Sequence, residues 1–243
     1  MSRTAKPRTS RRPAQPTDAP PAPEADGNGE GQSLTDLAYR RLEELLVTLQ
    51  IAPGSGVSEA ELSRRLGIGR TPIREALQRL ARERLVLILP RRGIVVSEIN
   101  ALTQLRLIET RRELERLLSR RAAKRATPAE RVRFRAIATG MAKAAEDEDD
   151  IAFMRLDRAF NGLVVEAARN EFAAGAMTLM HGLSRRYWYH HYKQVADLPL
   201  SARLHGAVAE AIAAGEEVAA AAASDRLMDY IETFTRATVD ASL

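Results

Sequence analysis

"LGIGRTPIREALQRL", residues 66–80, sets Arg70, Thr71 and Arg74 around a proline at the start of an amphipathic helix. Pro72 has no backbone N–H and is tolerated only in a first turn, so a helix begins close to it. Ile73, Leu77, Leu80 and Ala81 form one face of this helix, and Arg70, Arg74 and Gln78 form another. The arginines crowd a helix N-terminus, where the macrodipole is already positive. An anion outside the fold would relieve that conflict, and helix N-termini are suited to bind one.

The flanking sequence completes a motif. Ser33 and Asp36 fit a capping box ahead of Leu34, Leu37, Leu42, Leu45, Leu46 and Leu49 at helical spacing, and "APGSG" (52–56) ends that helix. A second, short helix opens at "SEAE" (58–61), with Ser58 and Glu61 as its capping pair, and stops at Gly67. After the opening stretch, "LVLIL" (85–89) and "IVVSE" (94–98) read as a hairpin whose "PRRG" tip carries Arg91, Arg92 and Gly93. Three helices and a hairpin predict a winged helix-turn-helix. Residues 34–97 hold 11 arginines and no lysine against 7 acids, concentrated on the third helix and the wing. The third helix is therefore expected to point its N-terminus into a DNA major groove.

The chain has 243 residues, enough for two domains, and a net charge of +5 that favours nucleic acid only where it is localised. Cysteine is absent, which excludes disulfides, zinc–thiolate sites and a thiol nucleophile. With no apolar run of about 20 residues and no secretory h-region, a soluble cytoplasmic protein without a membrane partner is expected. Residues 1–32 hold six of the eleven prolines and read as a disordered basic tail: a solubilising leader, or a non-specific DNA contact through Arg3, Lys6, Arg8, Arg11 and Arg12. Residues 33–98 form the winged domain. From 99 to 243 only helices are expected, at about 101–126, 128–145, 150–169, 171–193, 201–214 and 216–239. "TPAE" (127–130) would cap one, Asn170 and Gly215 would each end one, and "EDEDD" (146–150) would be a solvated loop. The fold class is mostly α: a winged helix-turn-helix followed by an all-α antiparallel bundle.

The run "LQIAPGSGVSEAELSRRLGIGRTPIREALQRLARERLVLILPRRGIVVSEI" (49–99) resembles the DNA-binding domain of the GntR family of bacterial transcription regulators. "LIETRRELE", "LDRAFNGLVVEAARN" and "LHGAVAEAIAAG" in the remainder resemble the ligand-binding FCD domain of that family's FadR branch. The resemblance implies that Arg70 and Arg74 read bases or phosphates, that Thr71 meets a phosphate, and that Arg92 and Gly93 at the wing tip enter the minor groove. Ala60 stands where relatives often carry a further arginine. Many FCD domains hold a divalent metal through an aspartate and three histidines, positions that fall on Asp157, Asn161, His205 and Leu227. An amide and a hydrocarbon replace two ligands, so no metal or other cofactor is expected.

Asp157 shares a stripe with Phe153, Phe160 and Val164; Arg111 interrupts Leu107, Leu114 and Leu118; His205 lies with Val208 and Ile212. Inward polar groups need partners. Either these three satisfy one another, or they line an effector cavity, which the resemblance favours. In "LSRRYWYHHYK" (183–193), Tyr187, Trp188 and Tyr192 read as core or interface anchors, while Arg185 or Arg186 could hold an acid bidentately. His181 is a conceivable substitute ligand. The resulting expectation is a homodimeric regulator that binds a two-fold double-stranded DNA operator and is switched by a small carboxylate. Its effector contacts would be Arg111, Asp157, Asn161, Arg185 and His205. The rivals are an architectural DNA-binding protein and a metal-dependent helical enzyme; without a phosphate loop, nucleophile elbow or complete metal set, no enzyme is expected.

Overall fold

The computed structural model describes residues 33–91, 93–195 and 197–240. The expected tail, 1–32, and Arg92 lie outside the described residues. Helix α1 (Leu34–Val47) starts where Ser33 accepts a hydrogen bond from the Asp36 N–H. Its buried face is Ala38, Tyr39, Leu42, Glu43, Leu46 and Val47, whereas Leu34 is exposed and Leu49 lies beyond the helix at positive φ. Strand β1 (Gly56–Val57) precedes α2 (Glu59–Leu66), which Ser58 caps and a left-handed Gly67 ends. Helix α3 (Arg70–Arg82) carries Pro72 in its first turn, and β2 (Val86–Leu89) and β3 (Gly93–Val96) form the wing.

The sheet is antiparallel in the order β1-β3-β2, with Val86 opposite Val96, Leu89 opposite Gly93 and Val57 opposite Ile94. At two residues, β1 is too short to leave an alternation in the sequence. Leu42, Leu46, Leu62, Ile73, Leu77, Leu80, Leu85 and Val96 form the core of this half.

Six helices follow: α4 (Ala101–Arg125), α5 (Pro128–Glu146), α6 (Asp150–Ala168), α7 (Glu171–Val195), α8 (Leu198–Ala214) and α9 (Glu217–Asp240). Thr127 and Glu130 form a full capping box on α5, and Asp149 caps α6. Asn170 does not end α6. Arg169 takes the left-handed position there, and Asn170 instead accepts from the Ala173 N–H at the start of α7. Helix α8 begins three residues before the expected 201, because Asp197 caps it and Pro199 fits its first turn. Around α4 pack α6, α7, α8 and α9, while α5 lies on α6 and α8. Phe134, Phe153, Phe160, Met177, Tyr187, Trp188, Val208, Ile212 and Phe234 contribute to the bundle core.

The two cores exchange residues: Val47 of α1 belongs to the bundle core, and Leu183 of α7 packs on the winged core. Gly182 permits this, since a Cβ there would stand 2.7 Å from Leu85 Cδ1. Arg186, buried beside it, donates to Ser97 Oγ at 2.9 Å and to the carbonyls of Leu85 and Glu98.

Candidate functional site

Helix α3 starts at Gly69 with no side-chain cap and no acid in its first turn, so its N-terminal N–H groups and dipole face outward uncompensated. Arg70, Thr71, Arg74 and Gln78 are all exposed on it, opposite the buried Ile73, Ala76, Leu77 and Leu80. Glu59 of α2 holds Arg74 bidentately, Nε to Oε1 at 2.9 Å and Nη2 to Oε2 at 2.8 Å. That hydrogen bond lowers the Glu59 carboxyl and raises the guanidinium. At the wing tip Arg91 and Gly93 are exposed and both have positive φ, which glycine adopts without strain.

The second constellation is a cavity inside the bundle with about 490 Å³ of atom-free space, its mouth included. Arg111, Asp157, Asn161, Arg185 and His205 all line it, together with Gln104, His181 and Ser184. Four helices supply these groups. On α4 the buried stripe is Gln104, Ile108, Arg111, Glu115 and Leu118, with Leu107 and Leu114 only half-buried, so the polar positions rather than those leucines face inward.

Asp157 is the hub. Its Oδ1 lies 3.2 Å from His205 Nε2 and accepts from Asn161 Nδ2 at 3.2 Å, and its Oδ2 lies 2.8 Å from Arg185 Nε. His205 is oriented by its Nδ1, 2.8 Å from the Ser201 carbonyl, and its ring edges meet Phe153 and Phe160. Arg111 donates through Nη1 to Ser184 Oγ, which also accepts from Gln104 Nε2 at 2.9 Å, and through Nη2 to Glu115 Oε1 at 2.6 Å. Burial alone would push the Asp157 carboxyl up, but the His205 hydrogen bond and the charges of His205, Arg185 and His181 outweigh it and hold it at about 2. Glu115 is likewise held at about 2, burial being overcome by Arg111 and His181.

A winged helix-turn-helix leading directly into a six-helix bundle is also what comparison with known proteins returns. The family model described as bacterial regulatory proteins, gntR family, matches residues 34–96, and the FCD domain model matches 106–230. The chain is a GntR-family regulator with an FCD domain. As such it is a DNA-binding transcription regulator.

Over 62 residues, 26% of each chain, this GntR protein is 44% identical to a transcriptional regulator in an unstable DNA locus of Streptomyces ambofaciens. Over 174 residues, 72% of this chain and 76% of the relative, it is 28% identical to the Escherichia coli repressor RspR. The solved structure of E. coli McbR/YncC superposes with a TM-score of 0.74 at 18% identity, covering 86% of this chain and all of that one, a likeness of fold. Among the described residues, no helix is long and apolar enough to cross a membrane.

Every residue of the GntR chain expected to contact an effector lines one cavity, but three ionic partners at its wall are not among those expected from sequence. Glu43 of α1, Glu115 of α4 and Arg158 of α6 all pair with cavity arginines or with one another. Glu43 interrupts the otherwise apolar buried face of α1, a signal that points to it, whereas Glu115 shares its buried face with Gln104 and Arg111 and is marked only by lying one turn after Arg111. Arg186 points away from the cavity, to the wing. His190 is exposed, and the His191 ring lies tilted against Tyr187 with centroids 4.6 Å apart.

Proposed function

We propose that this regulator binds a two-fold operator as a homodimer and is switched by a small organic acid held in the bundle cavity. The observation that carries this is Arg111. Its two terminal nitrogens are engaged, while Nε is a buried donor without a protein hydrogen-bond partner among the described residues. An effector carboxylate satisfies it, with Asn161 and His205 reading the remaining polar groups and Arg185 adding charge. Helix α4 links the cavity to DNA: Asn100 caps it just after the wing, and Arg111 lies three turns along.

The reading needs no resident metal. Asp157 and His205 converge, but Asn161 turns its amide nitrogen toward Asp157, α9 lines the cavity with Ile231 and Phe234 rather than with Leu227, and Arg185 already places a fixed positive charge on the carboxylate. This donor set does not fit a divalent cation, and elemental analysis after dialysis is expected to find well under one metal per chain.

The test is selection of duplexes from a random pool with the full chain, then a screen of small carboxylates against the selected duplex. Two-fold related half-sites are expected, and an effector that changes affinity about 5- to 150-fold, a coupling typical of such switches. Arg111→Ala is expected to lose that response. A response that persists in Arg111→Ala removes the residue from the site, and a neutral apolar effector overturns the carboxylate model.

A further inference from the structure

Arg185 belongs to the cavity and to the DNA-binding half at once. Its Nε meets Asp157 Oδ2 at 2.8 Å, its Nη1 meets Glu43 Oε1 of α1 at 2.5 Å, and its Nη2 donates to the Met154 carbonyl at 2.6 Å. Glu43, Asp157 and Arg185 are each under one-tenth exposed, so this is a three-member chain of buried charge crossing from α6 through α7 to α1. Burial lowers the affinity of the guanidinium for its proton, and Glu43 and then Asp157 more than restore it, so the positive charge is permanent. One cation serves two carboxylates, and what strengthens one contact draws on the other.

There is space for the guanidinium to shift. A second cavity lies between α1, α3, α6 and α7, lined by Tyr39, Glu43, Arg79 and Arg158 among others. It shares Asn161, His181 and Arg185 with the effector cavity, so these side chains are the wall between the two. From Glu43 the chain continues. One turn back on α1, Tyr39 donates to Glu83 Oε2 at the end of α3 at 2.8 Å, and Arg79 of α3 lies 3.6 Å over the Tyr39 ring. The other Glu43 oxygen forms an ion pair with Arg158 Nε of α6 at 2.8 Å, and Arg158 also lies over that ring.

We infer that Arg185 couples the cavity to the recognition helix. Its guanidinium divides between Asp157 and Glu43, and an anion entering the cavity draws it off Glu43, leaving that carboxylate to Arg158 alone and so loosening α1 and with it α3. This rests on the effector reading above and adds a route separate from α4.

The test needs no effector. It uses the full chain and the duplex the parent selects, with Glu43→Gln and Asp157→Asn, each isosteric. Glu43→Gln removes the charge that both Arg185 and Arg158 hold and so loosens α1 at least as far as the effector would; Asp157→Asn leaves Glu43 as the one carboxylate paired with Arg185. The two are expected to move duplex affinity in opposite directions, Glu43→Gln by about 5- to 150-fold. The double variant is expected to be non-additive, because both act on one guanidinium. A purely structural role would move both the same way or neither, and either result overturns the inference. Glu43→Asp keeps the charge but shortens its reach, and is expected to shift affinity in the Glu43→Gln direction by less. If the glutamine variant does not fold, an unchanged affinity in Glu43→Asp overturns the inference by itself. A parent that selects no duplex overturns the regulator reading and this inference together, whereas a parent that selects one with unaffected variants overturns only the inference.

Discussion

Arg70 and Arg74 sit on the same exposed face but in different electrostatic situations. Arg74 is pinned by Glu59, while Arg70 stands at the uncapped first turn of α3. A guanidinium reading a guanine edge in the major groove typically discriminates by about 5- to 150-fold in affinity. Arg70→Ala is expected to weaken binding to the selected duplex by that order, and Glu59→Gln, which unpins Arg74, to alter sequence preference while leaving the fold intact. Competition binding against mismatched duplexes at fixed salt measures both; a double Arg70/Arg74 alanine variant that binds like the parent removes α3 from the groove. Gly182 is decided by contact rather than charge. A methyl there meets Leu85, which is fully buried and cannot move aside freely. Gly182→Ala is expected to cost about 1–3 kcal/mol in denaturant unfolding, the range for overpacking, and a cost near zero would show that the α7–wing contact is loose.

At the scale of elements, helix ends follow local chemistry closely. Ser33, Ser58, Asn100, Thr127, Asp149 and Asp197 all accept from an N–H in the first turn of the helix they start. Thr127 is the most fully engaged, because its own N–H donates to Glu130 Oε2 at 2.8 Å, and the other Glu130 oxygen takes Arg169 at 2.7 Å. Thr127→Ala is expected to destabilise the bundle by about 1 kcal/mol, as other cap losses do, with Thr127→Ser close to the parent; equal loss in both would place the effect in packing instead. Helix α3 lacks any such side-chain cap, and that omission is legible in "GIGRTP". By contrast, α7 starts at the expected residue 171 but Asn170 takes the other role: a lone asparagine serves equally to end one helix or begin the next, and only the left-handed backbone of Arg169 decides.

For the whole molecule, the buried carboxylates make folding depend on acid. Asp157 and Glu115 are both held at about 2, below the ordinary values of about 4 that they regain on unfolding. Depressed carboxylates contribute stability that is complete above the unfolded value and disappears as pH falls through the folded one. Stability is therefore expected to be steady from neutral pH to about 4.5 and to fall from there toward pH 2, with a smaller fall in Asp157→Asn. Denaturant midpoints taken across that range measure it, and a flat profile would mean these carboxylates keep ordinary affinities for protons.

The sequence by itself determined the periodic and local features: nine helices among the described residues, the hairpin, most caps, the basic face of α3, and the inward placement of Arg111, Asp157 and His205. These depend on spacings of a few residues, which the chain states directly. What only the tertiary structure decided is which buried charge meets which. Glu43 and Arg185 are 142 residues apart, and nothing in either neighbourhood names the other. A buried charge requires an opposite one, but the requirement carries no address. Only the packing of α1 on α7 brings Glu43 to the guanidinium that Asp157 holds from the other side, joining the cavity to the DNA-binding half.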